Sequence, residues 1–273
     1  MDEKFSVSMC VYDGDNPQWF HTAVDSILNQ TAKPNEVVLV VDGPVPEDMD
    51  RIIREYEAKT MFRVVRLEKN VGHGEARRVG LAECTNELVA IMDADDISAP
   101  NRFEKQLAVF AKNPDIAIVG GNITEFAGAP ENVVGKRVVP EDDEGIKRYM
   151  KIRCPMNLVT VMFKKTSVEA AGGFIDWFCE EDYYLWLRMA QKDMQFANVS
   201  DILVNVRVGK EMYQRRGGFK YFASEAKLQK YMLDNQVIGF GTYLVNVVKR
   251  FVVQILLPNK LRSWAFQKFA RSK

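Results

Sequence analysis

Two hydrophobic periodicities alternate through the first hundred residues. Phe5 to Val11 and Glu36-Val37-Val38-Leu39-Val40-Val41 have the length and β-branched content of strands. The second is so uniformly apolar that both faces of its sheet must be covered. Between them Phe20, Val24, Ile27 and Leu28 recur at helical spacing, with Asn16 as the cap and Pro17 in the first turn. Met49, Ile52, Ile53 and Tyr56 mark a second amphipathic helix, Phe62 to Leu67 a third strand, Glu75 to Ala82 a third helix and Leu88 to Met92 a fourth strand. A βαβαβαβ succession predicts an α/β fold with a mainly parallel central sheet flanked by helices. Beyond Pro100 the pattern loosens. A helix is expected from about Arg102 to Ala111, short β segments near Ile116 to Val119 and Val159 to Phe163, and a helix through Tyr183 to Ala190. From about Arg207 a loop rich in charge and glycine leads into a helical C-terminal extension, so the chain divides into residues 1–206 and 207–273.

Ligands of such sheets gather at the carboxyl ends of the strands. Three polar groups fall at those ends: Tyr12-Asp13, Asp42-Gly43 and the pentad Met92-Asp93-Ala94-Asp95-Asp96. Three carboxylates on so short a span repel one another, and a divalent cation with oxygen preference is their natural compensator. A solvated acidic turn is the competing reading of the pentad taken alone. Glu181-Asp182 opens a later helix, where negative charge is electrostatically favourable.

Composition changes this picture in a few respects. With 273 residues and 47% hydrophobic positions the chain has ample material for a core. Lys plus Arg and Asp plus Glu both number 37, which gives no argument for a nucleic-acid partner. The charge is unevenly placed. After Asp234 there is no acidic residue, while Lys249, Arg250, Lys260, Arg262, Lys268, Arg271 and Lys273 accumulate toward the end. That asymmetry, mixed with apolar positions from Tyr243 onward, points to helices lying at an anionic membrane surface. A helical pair packed on the protein or against a second copy in a homodimer is the alternative. Cys10, Cys84, Cys154 and Cys179 are scattered without a zinc-binding spacing, the N-terminus lacks the pattern of a secretory signal, and no run reaches the ~20 apolar residues of a spanning helix. The expected location is cytoplasmic, peripheral at the inner face of the cell membrane.

Several motifs occur together in order: Phe5-Ser6-Val7-Ser8-Met9-Cys10-Val11-Tyr12, Ser26-Ile27-Leu28-Asn29-Gln30-Thr31 with Pro34, Val40-Val41-Asp42-Gly43, Asn70-Val71-Gly72 with Ala76-Arg77, the acidic pentad, and Gly172-Gly173-Phe174 with Glu181-Asp182-Tyr183-Tyr184-Leu185-Trp186-Leu187-Arg188. Over about residues 5 to 190 this combination resembles the inverting nucleotide-sugar glycosyltransferases of family 2, which have the GT-A fold. The C-terminal part is similar to that of bacterial transferases building capsular, exopolysaccharide or O-antigen repeats.

The resemblance implies roles for individual residues. Val11 and Tyr12 would line the base pocket, Asp42 would bond a uracil imide, Arg77 would approach the base or phosphates, and Asp93 would contact the ribose. Asp95 would bind Mn2+ or Mg2+ bridging the phosphates, with Asp96 as the second choice. Asp182 would be the catalytic base, and Glu181, with Glu180, an orienting or acceptor-side group. Asn157, Arg215 and Arg216 would contact the acceptor or phosphates, the two arginines from a closing loop or, alternatively, from a plain solvated one. Departures also appear: Met9-Cys10-Val11 replaces an apolar-Pro-Thr string, and Leu158-Val159 follows Asn157 where related enzymes carry His-Pro. The Gln-x-x-Arg-Trp string of processive synthases is absent, which favours single-sugar transfer. The implied activity is movement of a hexosyl or N-acetylhexosaminyl group from a UDP-sugar to a hydroxyl of a lipid-linked oligosaccharide. Two readings compete with it: a binding protein that keeps the fold without turnover, and an Asp-x-Asp phosphohydrolase. Retention of both the pentad and Asp182 counts against the first, and the pentad's position after three βα units against the second.

Overall fold

A computed structural model describes residues 3–209 and 217–258. The first half follows the periodicity: β1 (Phe5–Val11), α1 (Pro17–Leu28), β2 (Glu36–Val41), α2 (Glu47–Glu57), β3 (Phe62–Arg66), α3 (His73–Glu83) and β4 (Leu88–Met92). Asn16 caps α1 as its sequence position predicts, its side-chain oxygen accepting from the Gln18 and Trp19 amides. The second half comprises β5 (Ile97–Ser98), α4 (Arg102–Lys112), β6 (Ile116–Phe126), β7 (Val133–Arg137), α5 (Asp143–Met150), β8 (Met162–Lys164), α6 (Lys165–Ala170), α7 (Glu181–Ala190) and β9 (Gln195–Arg207). Two helices complete the described chain: α8 (Phe219–Asp234) and α9 (Phe240–Phe251), the latter running into a π-helical turn over Val252–Leu256.

The strands form one nine-stranded sheet in the order β3-β2-β1-β4-β8-β6-β9-β5, with β7 beside β6. β3, β2, β1 and β4 run parallel, and β6 pairs in parallel with β9. β8 is antiparallel to both β4 and β6, and β5 and β7 are antiparallel additions, so the sheet is mixed but mostly parallel. Apolar alternation within the parallel strands feeds two cores. Val37, Leu39 and Val41 face a layer with Phe20, Ile27 and Phe103, whereas Val38, Val89 and Ile91 face Phe163, Trp186 and Met189. This is the two-sided burial that the uniform β2 sequence requires.

Four differences from the sequence expectation have local causes. β6 continues past Val119 through Gly120-Gly121, because β9 packs close: a Cβ on Gly121 would lie 2.7 Å from Leu203 and one on Gly120 2.5 Å from the Asn198 side chain. β9 alternates weakly, with Asn198, Ser200, Asp201 and Asn205 interrupting it, and carries no clear strand signal. The apolar run Val159 to Phe163 splits into a 3₁₀ turn at Leu158–Thr160 and the short β8. The short α5 opens on Asp142, whose carboxylate caps the Gly145 amide, and its acidic start hides its periodicity.

α8 packs on the second core through Leu228 and Met232, the turn after it through Ile238, and α9 through Tyr243. No helix among the described residues is long and apolar enough to cross a membrane.

Candidate active site

Register brings the polar groups at the strand ends together. Val11 pairs with Val41, Val41 with Arg66, and Met9 with Met92, so Tyr12, Asp42, the Asn70–Gly72 segment and the pentad leave the sheet at the same edge. Asp42 is buried, and its two carboxylate oxygens accept from the Val71 amide at 2.7 Å and the Gly72 amide at 3.1 Å. Gly43 has φ +87°, and a Cβ there would sit 2.6 Å from the Asn70 nitrogen, so only glycine allows this close approach. The Tyr12 ring meets His73 edge-on at 6.1 Å, and the Tyr12 amide donates to Asp15 at 3.0 Å. Val11 is buried in the core directly beneath.

The three carboxylates of the pentad have different surroundings. Asp93 is partly exposed and accepts from Arg77 Nη2 at 3.3 Å. Asp96 is buried, its Oδ1 accepting from the Arg207 amide at 2.8 Å. Burial, reinforced by the charges of Asp95 and Asp93, raises its carboxyl well above the usual range. Asp95 is less buried, and its backbone carbonyl accepts from Arg207 Nε at 3.1 Å. Arg207 itself stacks on Trp19 at 4.5 Å and on Phe126 at 4.7 Å. Below the pentad the fully buried Arg102 donates to the Ile91 and Val161 carbonyls at 2.8 and 3.3 Å and to Gln106 at 3.1 Å. Burial lowers its guanidinium to about 9, with Asp93 and Asp96 opposing.

Arg77 ties this edge to α7. Its Nη1 donates to Glu181 Oε1 at 2.6 Å while Nη2 holds Asp93, and the side chain is only 10% exposed. Burial works against its charge, but Asp93 and Glu181 more than restore it, and the guanidinium is held above its ordinary value. Asp182, next along α7, accepts from its neighbour Tyr183's amide at 2.6 Å and from the Cys154 thiol at 3.7 Å. Burial first, and then the charge of Glu181, push Asp182 up to about 6, against the Tyr183 amide, Arg77 and Arg137. A carboxylate poised there is suited to accept a proton near neutral pH.

Asp182 lines a cavity of about 1020 Å³ that runs from Gly72-His73 on the strand-end side to α9. Its far wall holds a buried polar cluster. Arg250 pairs with Glu225 at 3.1 Å and donates to the Ile152 carbonyl at 3.1 Å. Gln254 donates to the same Glu225 carboxylate. Glu180 is buried beside them. Burial and the charges of Glu225 and Asp182 keep its carboxyl well above the usual range, with Arg250 acting the other way.

Most of the residues singled out in the sequence therefore gather at one edge: Tyr12, Asp42, Arg77, Asp93, Asp95, Asp96, Glu181 and Asp182. Asn157 is placed elsewhere. It is buried, its amide donating to the Gly121 carbonyl at 2.8 Å and its backbone carbonyl accepting from Thr160, and it does not line the cavity. Arg215 and Arg216 lie outside the described residues. Sequence reading missed Asp15, Arg102, Cys154, Arg207 and the Glu225–Arg250 pair. Each acts through a partner tens of residues away or through the backbone, and only Asp15, two residues beyond Asp13, carried a local signal.

Among the described residues no three His, Cys, Asp or Glu side chains form a ready metal cage. The donor chemistry nevertheless fits a hard divalent ion. Asp93, Asp95 and Asp15 face one another closely enough that burial and the charges of Asp95 and Asp93 push Asp15 up to about 7, against the Tyr12 amide. Mg2+-type ions bound through phosphates take one or two protein carboxylates rather than a complete cage.

Comparison with known proteins identifies the family and the fold. The model of glycosyl transferase family 2 matches residues 6–168. The chain is 35% identical over 268 residues to a UDP-Gal:alpha-D-GlcNAc-diphosphoundecaprenol beta-1,3-galactosyltransferase of Escherichia coli, covering 98% of this chain and 97% of that one. It is 33% identical to the amylovoran biosynthesis glycosyltransferase AmsE of Erwinia amylovora, covering 97% and 98%. Among solved structures, Staphylococcus aureus TarS 1-349 in complex with UDP-GlcNAc superposes with a TM-score of 0.65 at 17% identity, covering 97% of this chain and 79% of that one. The mannosyltransferase PcManGT of Pyrobaculum calidifontis, in complex with GDP-Man and Mn2+, superposes with a TM-score of 0.64 at 17% identity, covering 99% and 76%. The likeness to the solved structures establishes the GT-A fold, and the family match and the two relatives establish that the chain belongs to glycosyl transferase family 2.

Proposed function

We propose that this glycosyltransferase moves one hexosyl or N-acetylhexosaminyl group from a UDP-sugar to a hydroxyl of a lipid-linked oligosaccharide, with inversion and with help from Mn2+ or Mg2+. One observation carries the reading. Arg77 bonds Asp93 of the pentad with one nitrogen and Glu181, next to Asp182, with the other, so leaving-group side and base side face each other across one site. The E. coli relative named for a UDP-sugar donor and a diphosphoundecaprenol-linked acceptor supports the substrate classes, and the biosynthetic relatives support a role in bacterial polysaccharide assembly.

On this reading Tyr12 and Asp42 hold the uracil end, with Asp42 also keeping the Val71 and Gly72 amides in place. Asp93 takes the ribose, and Arg77 orients it. Asp95 would hold the cation. Its neighbour Asp96 faces the Arg207 amide in the interior, which supports Asp95 over Asp96 as the ligand. When bound, the cation neutralises the departing diphosphate. Asp182 removes the proton from the acceptor hydroxyl as its oxygen attacks the anomeric carbon on the face opposite the nucleotide. One displacement inverts the configuration, and the developing oxocarbenium character lies between the two carboxylate groups. Glu181 keeps Arg77 in place and raises the proton affinity of Asp182.

The test is transfer from UDP-galactose, UDP-glucose and their N-acetylated forms to a synthetic sugar-diphosphate-lipid, with product linkage read by NMR. Wild type should give a product of inverted anomeric configuration, and Asp182→Asn should lose at least about 100-fold in rate, the low end of general-base catalysis. Equal rates for wild type and Asp182→Asn, or a product of retained configuration, overturn the mechanism.

A further inference from the structure

α9 is inside out. Helices on the surface of a water-soluble protein turn their apolar stripe to the core and their polar face to solvent. In α9 and the turn that follows it, Asn246, Arg250 and Gln254 recur every fourth residue and point inward. Asn246 is buried and donates to the Lys151 carbonyl at 2.9 Å and to Gln229 at 2.8 Å. Arg250 and Gln254 meet on Glu225 as described, and the Gln254 carbonyl accepts from the Gly218 amide at 3.1 Å. The outward face is apolar: Phe240, Leu244, Val248, Phe251 and Leu256 are each between 41% and 67% exposed. The patch continues onto α8, where the Phe222 ring contacts Phe251 at 5.5 Å and Phe219 at 6.5 Å, and Phe219 is the most exposed of the large apolar residues. A contiguous apolar face of this kind marks an interaction surface.

We infer that the outer face of α9 and the Val252–Leu256 turn docks on an anionic lipid surface and forms the membrane-facing wall of the Asp182 cavity. Charge complementarity selects this occupant. Residues 235–273 contain seven Lys and Arg and no Asp or Glu; with Arg250 turned inward to Glu225, six cations remain in a segment that has no acidic residue, an excess that disfavours a second copy of this chain and attracts anionic headgroups. Lys249, exposed next to the apolar stripe, supplies one of these charges at the surface itself. The same helix lines the cavity with its inner face, through Asn246, Arg250 and Gln254. An acceptor could thus keep its lipid in the bilayer while its sugar reaches Asp182. That consequence rests on the lipid-linked acceptor reading; the docking does not.

The experiment is sedimentation of the full-length protein with vesicles of phosphatidylcholine alone or mixed with phosphatidylglycerol. The wild type should partition onto the mixed vesicles at least tenfold better than onto phosphatidylcholine, with loss at high salt. Val248→Glu and the double variant Leu244→Glu/Val248→Glu, whose positions do not touch the cavity, should reduce partitioning tenfold or more with unchanged circular dichroism. They should also keep wild-type rates on a short-chain soluble acceptor and lose rate on a long-chain acceptor in vesicles. Three results overturn the inference: no preference of the wild type for anionic vesicles, vesicle binding unaffected by the glutamates, or a wild-type dimer that the glutamates split without any lipid effect. Sedimentation needs no turnover, so an inactive protein that binds vesicles normally refutes the transfer reading alone.

Discussion

Acidification from pH 7 to pH 5 should switch transfer off with a dependence set by Asp182. Its carboxyl is held at about 6 rather than 3.8, chiefly by burial and then by Glu181, with the Tyr183 amide, Arg77 and Arg137 pulling the other way. The remaining groups facing it are the Cys154 thiol and Glu180, both of which burial, ahead of nearby charges, holds above their ordinary values. A base must be ionised to act, so its active fraction falls from about 0.9 at pH 7 to about 0.09 at pH 5, close to tenfold. An unshifted carboxylate would still be about 0.94 ionised at pH 5. The assay is nucleoside diphosphate release, read as kcat/KM for the acceptor with donor and divalent ion saturating, so that their binding does not shape the pH dependence. Glu181→Gln should move the acid limb to lower pH, because it removes the charge that raises Asp182 and frees Arg77 to stabilise the carboxylate. A flat profile from pH 7 to 5, or a limb indifferent to Glu181→Gln, refutes the assignment of Asp182 as base.

The fold itself should respond to pH in the opposite direction. Asp15 and Asp182, together with the more strongly shifted Asp96 and Glu180, bind protons more tightly folded than unfolded, so stability rises as pH falls from 7.5 toward 5.5. A thermal melt of the ligand-free protein should record that rise, and a fall over the same window would contradict it. Asp95→Asn should cut metal-stimulated transfer by about 100-fold, the several kcal/mol a bound cation contributes. Asp96→Asn keeps an acceptor for the Arg207 amide and should leave metal affinity within about 3-fold, well short of the ~1.4 kcal/mol that a tenfold change represents; metal titrations of the two variants with the reverse outcome would move the ligand to Asp96. Arg102→Met removes a buried donor from the Ile91 carbonyl and the Gln106 side-chain oxygen, while the Val161 carbonyl keeps the Ile91 amide, and should cost about 2–3 kcal/mol in urea unfolding. An unchanged midpoint would show that water replaces the guanidinium. Gly43→Ala, at φ +87° and against the Asn70 backbone, should cost about 1–3 kcal/mol and raise the donor KM more than it lowers kcat; an unchanged KM would detach the Asp42 loop from donor binding.

The legible parts of this chain are those where the signal is local. β1 to β4 and their helices follow from period and length, because β1, β2 and β4 are buried on both faces and each helix on one, and the Asn16 cap and the Asp42-Gly43 turn follow from residue chemistry. β9 was not legible. It lies between β6 and β5, where the bulged pairing with β6 and close packing against Gly120-Gly121 replace side-chain alternation as its stabilising contacts. The candidate site divides along the same line. The motifs and their order name Tyr12, Asp42, Asp93, Asp95 and Asp182, yet nothing within the pentad distinguishes Asp95 from Asp96. The difference comes from the Arg207 amide, 111 residues away, which meets Asp96 in the interior.

By itself the sequence determined the α/β alternation, the strand ends at which polar groups collect and the family whose motifs they match. Tertiary structure decided which carboxylate faces inward, that Arg77 joins Asp93 to a glutamate 104 residues later, that burial raises Asp182, and that α9 turns its polar side to the protein and its apolar side out. The physical reason is range. Periodicity, capping and turn chemistry act over a few residues and can be read along the chain, whereas desolvation, ion pairing and the facing of a helix depend on what the rest of the fold places against them.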